Sequence, residues 1–255
     1  MPARRVKRIG HDDQLELVGH LDELRSRLIV SLFAFGTALT LCFWQNKLVL
    51  DFVQAPLHGK QLVTLGVAEP FTTTLTVAAY ASIILALPVL LYQVYAFVLP
   101  AFSPGERKIA IPLLLMIPVL FVTGVAFAYF VVVPAALKFL LHFNADQFNT
   151  QLRAKEYYSF ITLTCASVGL VFQVPVAILA AARLGITTPA KLRKNRRYAF
   201  LVCAVVAAAL PGVDPVTMLL ETVPLVLLYE ASIWLATLFA TPAPSSEPAP
   251  SPSPS

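Results

Sequence analysis

Charge is what this chain has least of. Only 13% of its 255 residues are Asp, Glu, Lys or Arg, against 58% that are hydrophobic, whereas soluble domains average about 25% charged. That excludes an ordinary soluble fold. The scarce charges are also bunched, leaving uncharged runs near or beyond the roughly 20 residues a helix needs to cross a bilayer. Strict alternation of apolar and polar residues is lacking, which excludes a transmembrane barrel. Cysteine is scarce and shows no CxxC spacing. Cys42, Cys165 and Cys203 each lie inside an apolar run, the setting of a small buried hydrophobe. The four histidines (His11, His20, His58, His142) are scattered without metal-ligand spacing, so no metal or cofactor is expected. The net charge of +5 sits at the edges of apolar segments rather than in an aromatic-interleaved basic patch, so nucleic acid is not an expected partner. The polar N-terminus and the late, long first apolar run argue against a cleavable signal peptide.

What is there is an all-α integral membrane pattern. Six apolar segments can be drawn, at about 28–44, 71–99, 109–141, 157–184, 198–210 and 216–239. Residues 1–18 read as a polar N-terminal tail, 19–239 as the membrane domain, and the Pro/Ser-rich stretch 240–255 as a disordered tail. Fourteen Lys and Arg flank the ends that would share a side with the N-terminus, including Arg4, Arg25, Arg107, Lys191 and Arg197, while five flank the other side. The positive-inside rule then places both termini in the cytoplasm, which requires an even number of spans. The fifth segment reaches only about 20 Å as a helix, against a hydrocarbon core near 30 Å. It must thin the bilayer, be shielded or stop partway, and a re-entrant hairpin of the last two segments is the alternative to two true spans. Pro88, Pro112, Pro118, Pro175 and Pro224 punctuate the spans. Each removes a backbone hydrogen bond and bends its helix, and a set of bent helices encloses a concave surface.

A few polar groups ask for an explanation. In the turn His20–Leu28, two arginines at a membrane edge follow from topology, but Asp22 and Glu23 do not. Acids where a basic segment first meets the membrane point to recognition of a positively charged peptide. Glu106 is the acid of the loop 103–108, where it also fits a capping box with Ser103. If that loop lies beside the N-terminal segment, Glu23 and Glu106 form a pocket of two carboxylates, each able to take one guanidinium. Glu221 and Glu230 lie in the last segment, nine residues apart and so on opposite helix faces. Glu230 is either solvated or functional. Glu221 is either a protonated core acid or a binding group for a partner helix. Asp214-Pro215 reads as an N-cap followed by proline at the first helical position.

Several ordered motifs together resemble the TatC family, the receptor and core subunit of the twin-arginine protein translocase. They are His20-Leu21-x-Glu23-Leu24-Arg25-x-Arg27-Leu28, Ala55-Pro56-Leu57, Glu69-Pro70-Phe71, the run from Pro88 to Phe97, Glu106-Arg107-Lys108, the run from Ala126 to Phe130, Phe172-x-Val174-Pro175-Val176-Ala177 and Leu192-Arg193-Lys194-x-Arg196-x-Tyr198. The resemblance covers about residues 18–239. It implies a glove-like bundle of six transmembrane helices with two short C-terminal helices in a bacterial cytoplasmic membrane. It implies binding of the twin-arginine signal peptides of folded precursors, recruitment of single-span TatA- and TatB-type subunits, homo-oligomers within the complex, and transport driven by the proton gradient. Glu23, Arg25, Phe97 and Glu106 match the family's signal-binding positions, and Pro56 matches a functional position in the first outward loop. The last two helices match the partner-docking region, with Gln173, Asp214, Met218 and Glu221 as its polar cluster. Two departures stand out: Gln173 stands where the family often has Glu, and Met218 stands where a polar residue is common while Glu221, one turn on, is extra, which suggests a carboxylate moved by one turn. Asp22 matches no fixed position.

Two rival classes lack their signatures. A secondary transporter should show internal repeats with paired broken helices around a midplane site, and the two halves here differ in span length. An intramembrane enzyme needs a nucleophile–base or metal constellation, and Cys165, Ser167 and Ser232 have no histidine placed to serve them. The chain therefore reads as a binding and assembly protein rather than an enzyme.

Overall fold

The computed structural model describes residues 11–57, 59–98, 107–143, 145–147, 150–183, 185–212 and 214–238. Ten α-helices lie among them: α1 (His11–Trp44), α2 (Asn46–Gln54), α3 (Glu69–Val98), α4 (Arg107–Phe127), α5 (Val133–His142), α6 (Ala154–Val171), α7 (Val174–Arg183), α8 (Pro189–Lys194), α9 (Arg196–Ala209) and α10 (Pro215–Leu238). A 3-10 turn (Ala55–Leu57) follows α2, and a π-helical turn (Ala128–Val132) joins α4 to α5. Among the described residues, five helical stretches are long and apolar enough to cross a membrane: Leu21–Trp44, Glu69–Phe97, Leu114–His142, Ala154–Arg183 and Pro215–Leu238. The expected fifth segment corresponds to α9, which has 14 residues and is about 21 Å long, short of a full crossing on its own.

The helices expose what lipid accepts. Leu28, Phe33 and Trp44 on α1, Leu115 and Val122 on α4, and Trp234 and Leu238 on α10 all point outward. Hydroxyls within the spans turn back onto carbonyls four residues earlier, as Thr37 does to Phe33 (2.9 Å), Thr76 to Thr72 (2.8 Å) and Thr123 to Val119 (2.8 Å). Each hydroxyl is thereby satisfied without water.

One core forms around α6. Ala154, Tyr157, Tyr158, Ile161, Cys165, Val168 and Phe172 recur at three- and four-residue spacing and bury a continuous stripe against Val53, Leu57, Val77, Ala128, Tyr129, Val133 and Leu137. Glycine makes the approach of α4 to α6 possible. A Cβ on Gly169 would lie 2.7 Å from the Phe121 ring and 2.8 Å from Val125, and one on Gly124 would lie 2.7 Å from the Phe172 ring. At the opposite end, Tyr95, Ile117, Val176, Leu179 and Ala236 form a second core between α3, α4, α7 and α10. A third, of Cys203, Ala207, Leu225, Tyr229 and Ile233, joins α9 to α10. All three cysteines are buried and unpaired.

The prolines act unequally. Helix α3 runs through Pro88 and α10 through Pro224 without interruption. Before Pro175, however, the helix stops, and Phe172 and Gln173 form a turn between α6 and α7. The missing amide of Pro175 and its clash with the preceding turn account for the break. Pro134, next to the π turn, follows the same logic in milder form: the wider turn absorbs its missing donor.

Candidate functional site

Polar side chains gather at both ends of the bundle and at the α9–α10 hairpin. At the first end, Arg27 donates twice to the same oxygen of Glu23, from Nη2 at 2.5 Å and Nε at 3.0 Å. Its Nη1 donates to Gln93 Oε1 at 3.2 Å, tying α1 to α3. Glu23 and Arg27 are one helical turn apart and so share a face; their side chains are 33% and 24% exposed. Phe97, half-buried, follows Gln93 by one turn on α3. The structure thus brings Glu23 to the α1–α3 seam, while Arg25 is exposed. Glu106 lies outside the described residues, and with it the second half of the expected acidic pocket.

The other end is built around α2. The last carbonyls of a helix have no partner within it, and tyrosines supply three contacts to the last turn of α2. Tyr129 OH donates to the Phe52 carbonyl (2.5 Å), Tyr157 OH to the Val53 carbonyl (3.0 Å) and Tyr158 OH to Gln54 Oε1 (3.3 Å). The Phe52 ring stacks on Tyr129 with centroids 4.5 Å apart. Pro56 sits half-buried in the 3-10 turn just beyond this clamp. Beside it, Val63 and Arg153 form an isolated parallel bridge, with Val63 N donating to Leu152 O and Ala154 N to Val63 O, both at 2.9 Å. Glu69 closes the cap. Its carboxylate accepts from Arg153 Nε (2.8 Å) and Nη2 (3.3 Å) and from the amides of Leu65 (2.9 Å) and Gly66 (3.2 Å). The bond to Glu69 raises the Arg153 pKa.

The polar residues of the C-terminal half fall into two kinds. Asp214 caps α10, its oxygens accepting from Thr217 N (2.8 Å) and the Thr217 hydroxyl (2.6 Å), with Pro215 as the first helical residue. Glu230 pairs with Arg196 at 2.7 Å. Met218 is partly buried against the α9–α10 core. Gln173 lies in the α6–α7 break, where its Nε2 donates to the Ile117 carbonyl (3.2 Å) while its buried Oε1 has no partner among the described residues. Glu221 is 2% exposed, and neither of its oxygens has a partner there.

Sequence reasoning missed the contacts that join elements. Arg153 entered only as a topological charge, Arg27 as that and as part of a motif, and Gln93, Glu69 and Tyr129 only as parts of motifs. The glycines at 124 and 169 did not enter at all. The Glu69–Pro70 step at a helix start was the one local sign of this cap, since an acid favours a helix N-terminus.

This geometry defines a multi-pass helical membrane protein whose polar groups serve its ends and seams. Residues 19–224 match the family model described as Sec-independent protein translocase protein (TatC). The chain is 37% identical to the Sec-independent protein translocase protein TatC of Carboxydothermus hydrogenoformans over 228 residues, covering 88% of this chain and 94% of that one. It is 36% identical to the chloroplastic TATC of Arabidopsis thaliana, over 92% of this chain and 70% of that one. A crystal structure of the twin-arginine translocase receptor TatC superposes with a TM-score of 0.74 at 36% identity, over 86% of this chain and 98% of the other. A second, of the same receptor in DDM, gives 0.75. The chain belongs to the TatC family, a component of the Sec-independent protein translocase.

Proposed function

We propose that this chain is the core receptor subunit of the twin-arginine translocase in a bacterial cytoplasmic membrane, with both termini cytoplasmic. In this reading α9 is a sixth, short span, and the bundle is a concave glove. The signal peptide's paired arginines meet Glu23 and Glu106, with Arg25 and Phe97 beside them, and its apolar part packs along the helices. Single-span TatA- and TatB-type subunits dock at α9 and α10 around Gln173, Asp214, Met218 and Glu221, and further copies of the chain join the complex. The proton gradient then drives transport of the folded precursor. Pro56 supports the outward end of the assembly.

The observation that carries the reading is the Glu23–Arg27 pair. Both bonds fall on Oε1, so Oε2 remains available to a second guanidinium among the described residues. A carboxylate already holding an arginine at the α1–α3 seam is suited to the charge-assisted, planar recognition that guanidinium favours over ammonium. The test is the affinity of the purified protein for a twin-arginine signal peptide. Glu23→Gln should weaken binding by about tenfold or more, the range expected for a charge-assisted hydrogen bond, and a Lys-Lys peptide should bind the wild type as weakly. Unchanged affinity in the variant would remove Glu23 from the site.

A further inference from the structure

Where α8 meets α9, Lys191, Arg193, Lys194, Arg196 and Arg197 fall within seven residues, and all are exposed. One acid answers them: Glu230 takes Arg196 at 2.7 Å. Among the described residues no carboxylate pairs with the other four. The corner that carries them is fixed in place. Tyr229 OH donates to the Leu192 carbonyl (2.9 Å), Arg193 Nη2 donates to the Thr237 hydroxyl (3.3 Å), and the Thr188 side chain caps α8 by accepting from Lys191 N (3.3 Å). Arg197 is held as well, its guanidinium 4.7 Å from the centroid of the Tyr198 ring and its Nη2 donating to the phenol oxygen at 3.0 Å.

Below Arg197 on the same helical ridge come Leu201 and Val205, at four-residue steps, 64% and 61% exposed. The ridge therefore presents a guanidinium above two exposed apolar side chains. Topology asks only for Lys and Arg near the ends of spans; it does not ask for one to be stacked in position above an exposed apolar ridge. Arg196 and Arg197 are also of the wrong sign for the first turn of α9, whose dipole favours anions, so an external anion would offset a repulsion that Glu230 relieves only at Arg196.

We infer that the α8–α9 corner binds one anionic phospholipid, its phosphate against Arg197 and Lys194 and an acyl chain along Leu201 and Val205. Nothing in this depends on which side of the membrane the corner faces or on signal-peptide binding. Native mass spectrometry of the full chain, released into detergent from phosphatidylcholine vesicles containing a minor fraction of cardiolipin, tests it. The wild type should retain cardiolipin. Lys194→Gln with Arg197→Gln should lower cardiolipin affinity by about tenfold or more, while Lys194→Arg with Arg197→Lys should keep it. Lys47→Gln with Lys60→Gln, which removes the same charge elsewhere, should leave cardiolipin bound, as should millimolar inorganic phosphate. An equal loss in the control pair would mean diffuse electrostatics, and displacement by phosphate would mean a soluble-anion site; either overturns the assignment. A photoactivatable cardiolipin should label residues 194–205 of the wild-type chain, which needs no variant to fold. Labelling confined to other segments would overturn it equally.

Discussion

At the scale of the residue, the question is what a scarce polar group does in a mostly apolar chain. Glu23 answers by pairing: its carboxylate is held by Arg27, and in the proposed function a signal-peptide arginine would join that contact. Glu221 is the opposite case, 2% exposed with both oxygens unpartnered. A carboxyl group left so in a membrane span is costly, and in the proposed assembly a docking helix displaces its neighbours and supplies the missing hydrogen bond. Glu221→Leu should then weaken co-purification with a TatA-type subunit severalfold while the isolated chain keeps its stability; unchanged association would take Glu221 out of the docking cluster. That acids at positions 23 and 221 need explaining was legible in the sequence, because a charge in an apolar run stands out. Their partners were not. Arg27 has a topological reason to be where it is, and nothing local links Gln93 to it across 66 residues.

At the scale of the element, apolar runs located the long helices well because lipid demands length and apolarity together. The Asp214–Pro215 start of α10 was readable for the same kind of reason, since a cap is a local contact. What escaped was where helices break and where they touch. Pro175 follows a break in its helix whereas Pro88 lies inside an unbroken one. Short α2 hides between apolar segments and is fixed by tyrosines from distant helices. The α4–α6 seam depends on two glycines that only the structure identifies as contact points. Gly169→Ala should destabilise the protein in detergent by about 1–3 kcal/mol, the usual cost of overpacking, seen as a lower melting temperature. Gly36→Ala is the comparison: nothing lies within 4 Å of its Cβ, so it should be neutral or slightly stabilising. Equal behaviour of the two variants would contradict the seam.

At the scale of the whole molecule, the α9–α10 hairpin does not reach the end of the bundle that α2 closes. The Thr164 hydroxyl donates to the Pro211 carbonyl at 3.1 Å, and Thr164 lies ten residues into α6, about 15 Å along its axis. The sequence hinted at this through the shortness of the fifth segment, without deciding between a thinned bilayer and a partial span. A spin label at Pro211→Cys should accordingly report a position deeper in the bilayer than one at Lys60→Cys by about that distance; equal depths would contradict the arrangement. The shared architecture with TatC structures and the positions of Glu23 and Phe97 make signal recognition at the α1–α3 seam the central claim. Site-specific photocrosslinking from positions 23 and 106 to a twin-arginine signal peptide, with a Lys-Lys peptide as control, tests it most directly. Strong adducts with the twin-arginine peptide from both positions and weak ones with the control are expected; equal crosslinking of the two peptides would contradict signal recognition at this seam.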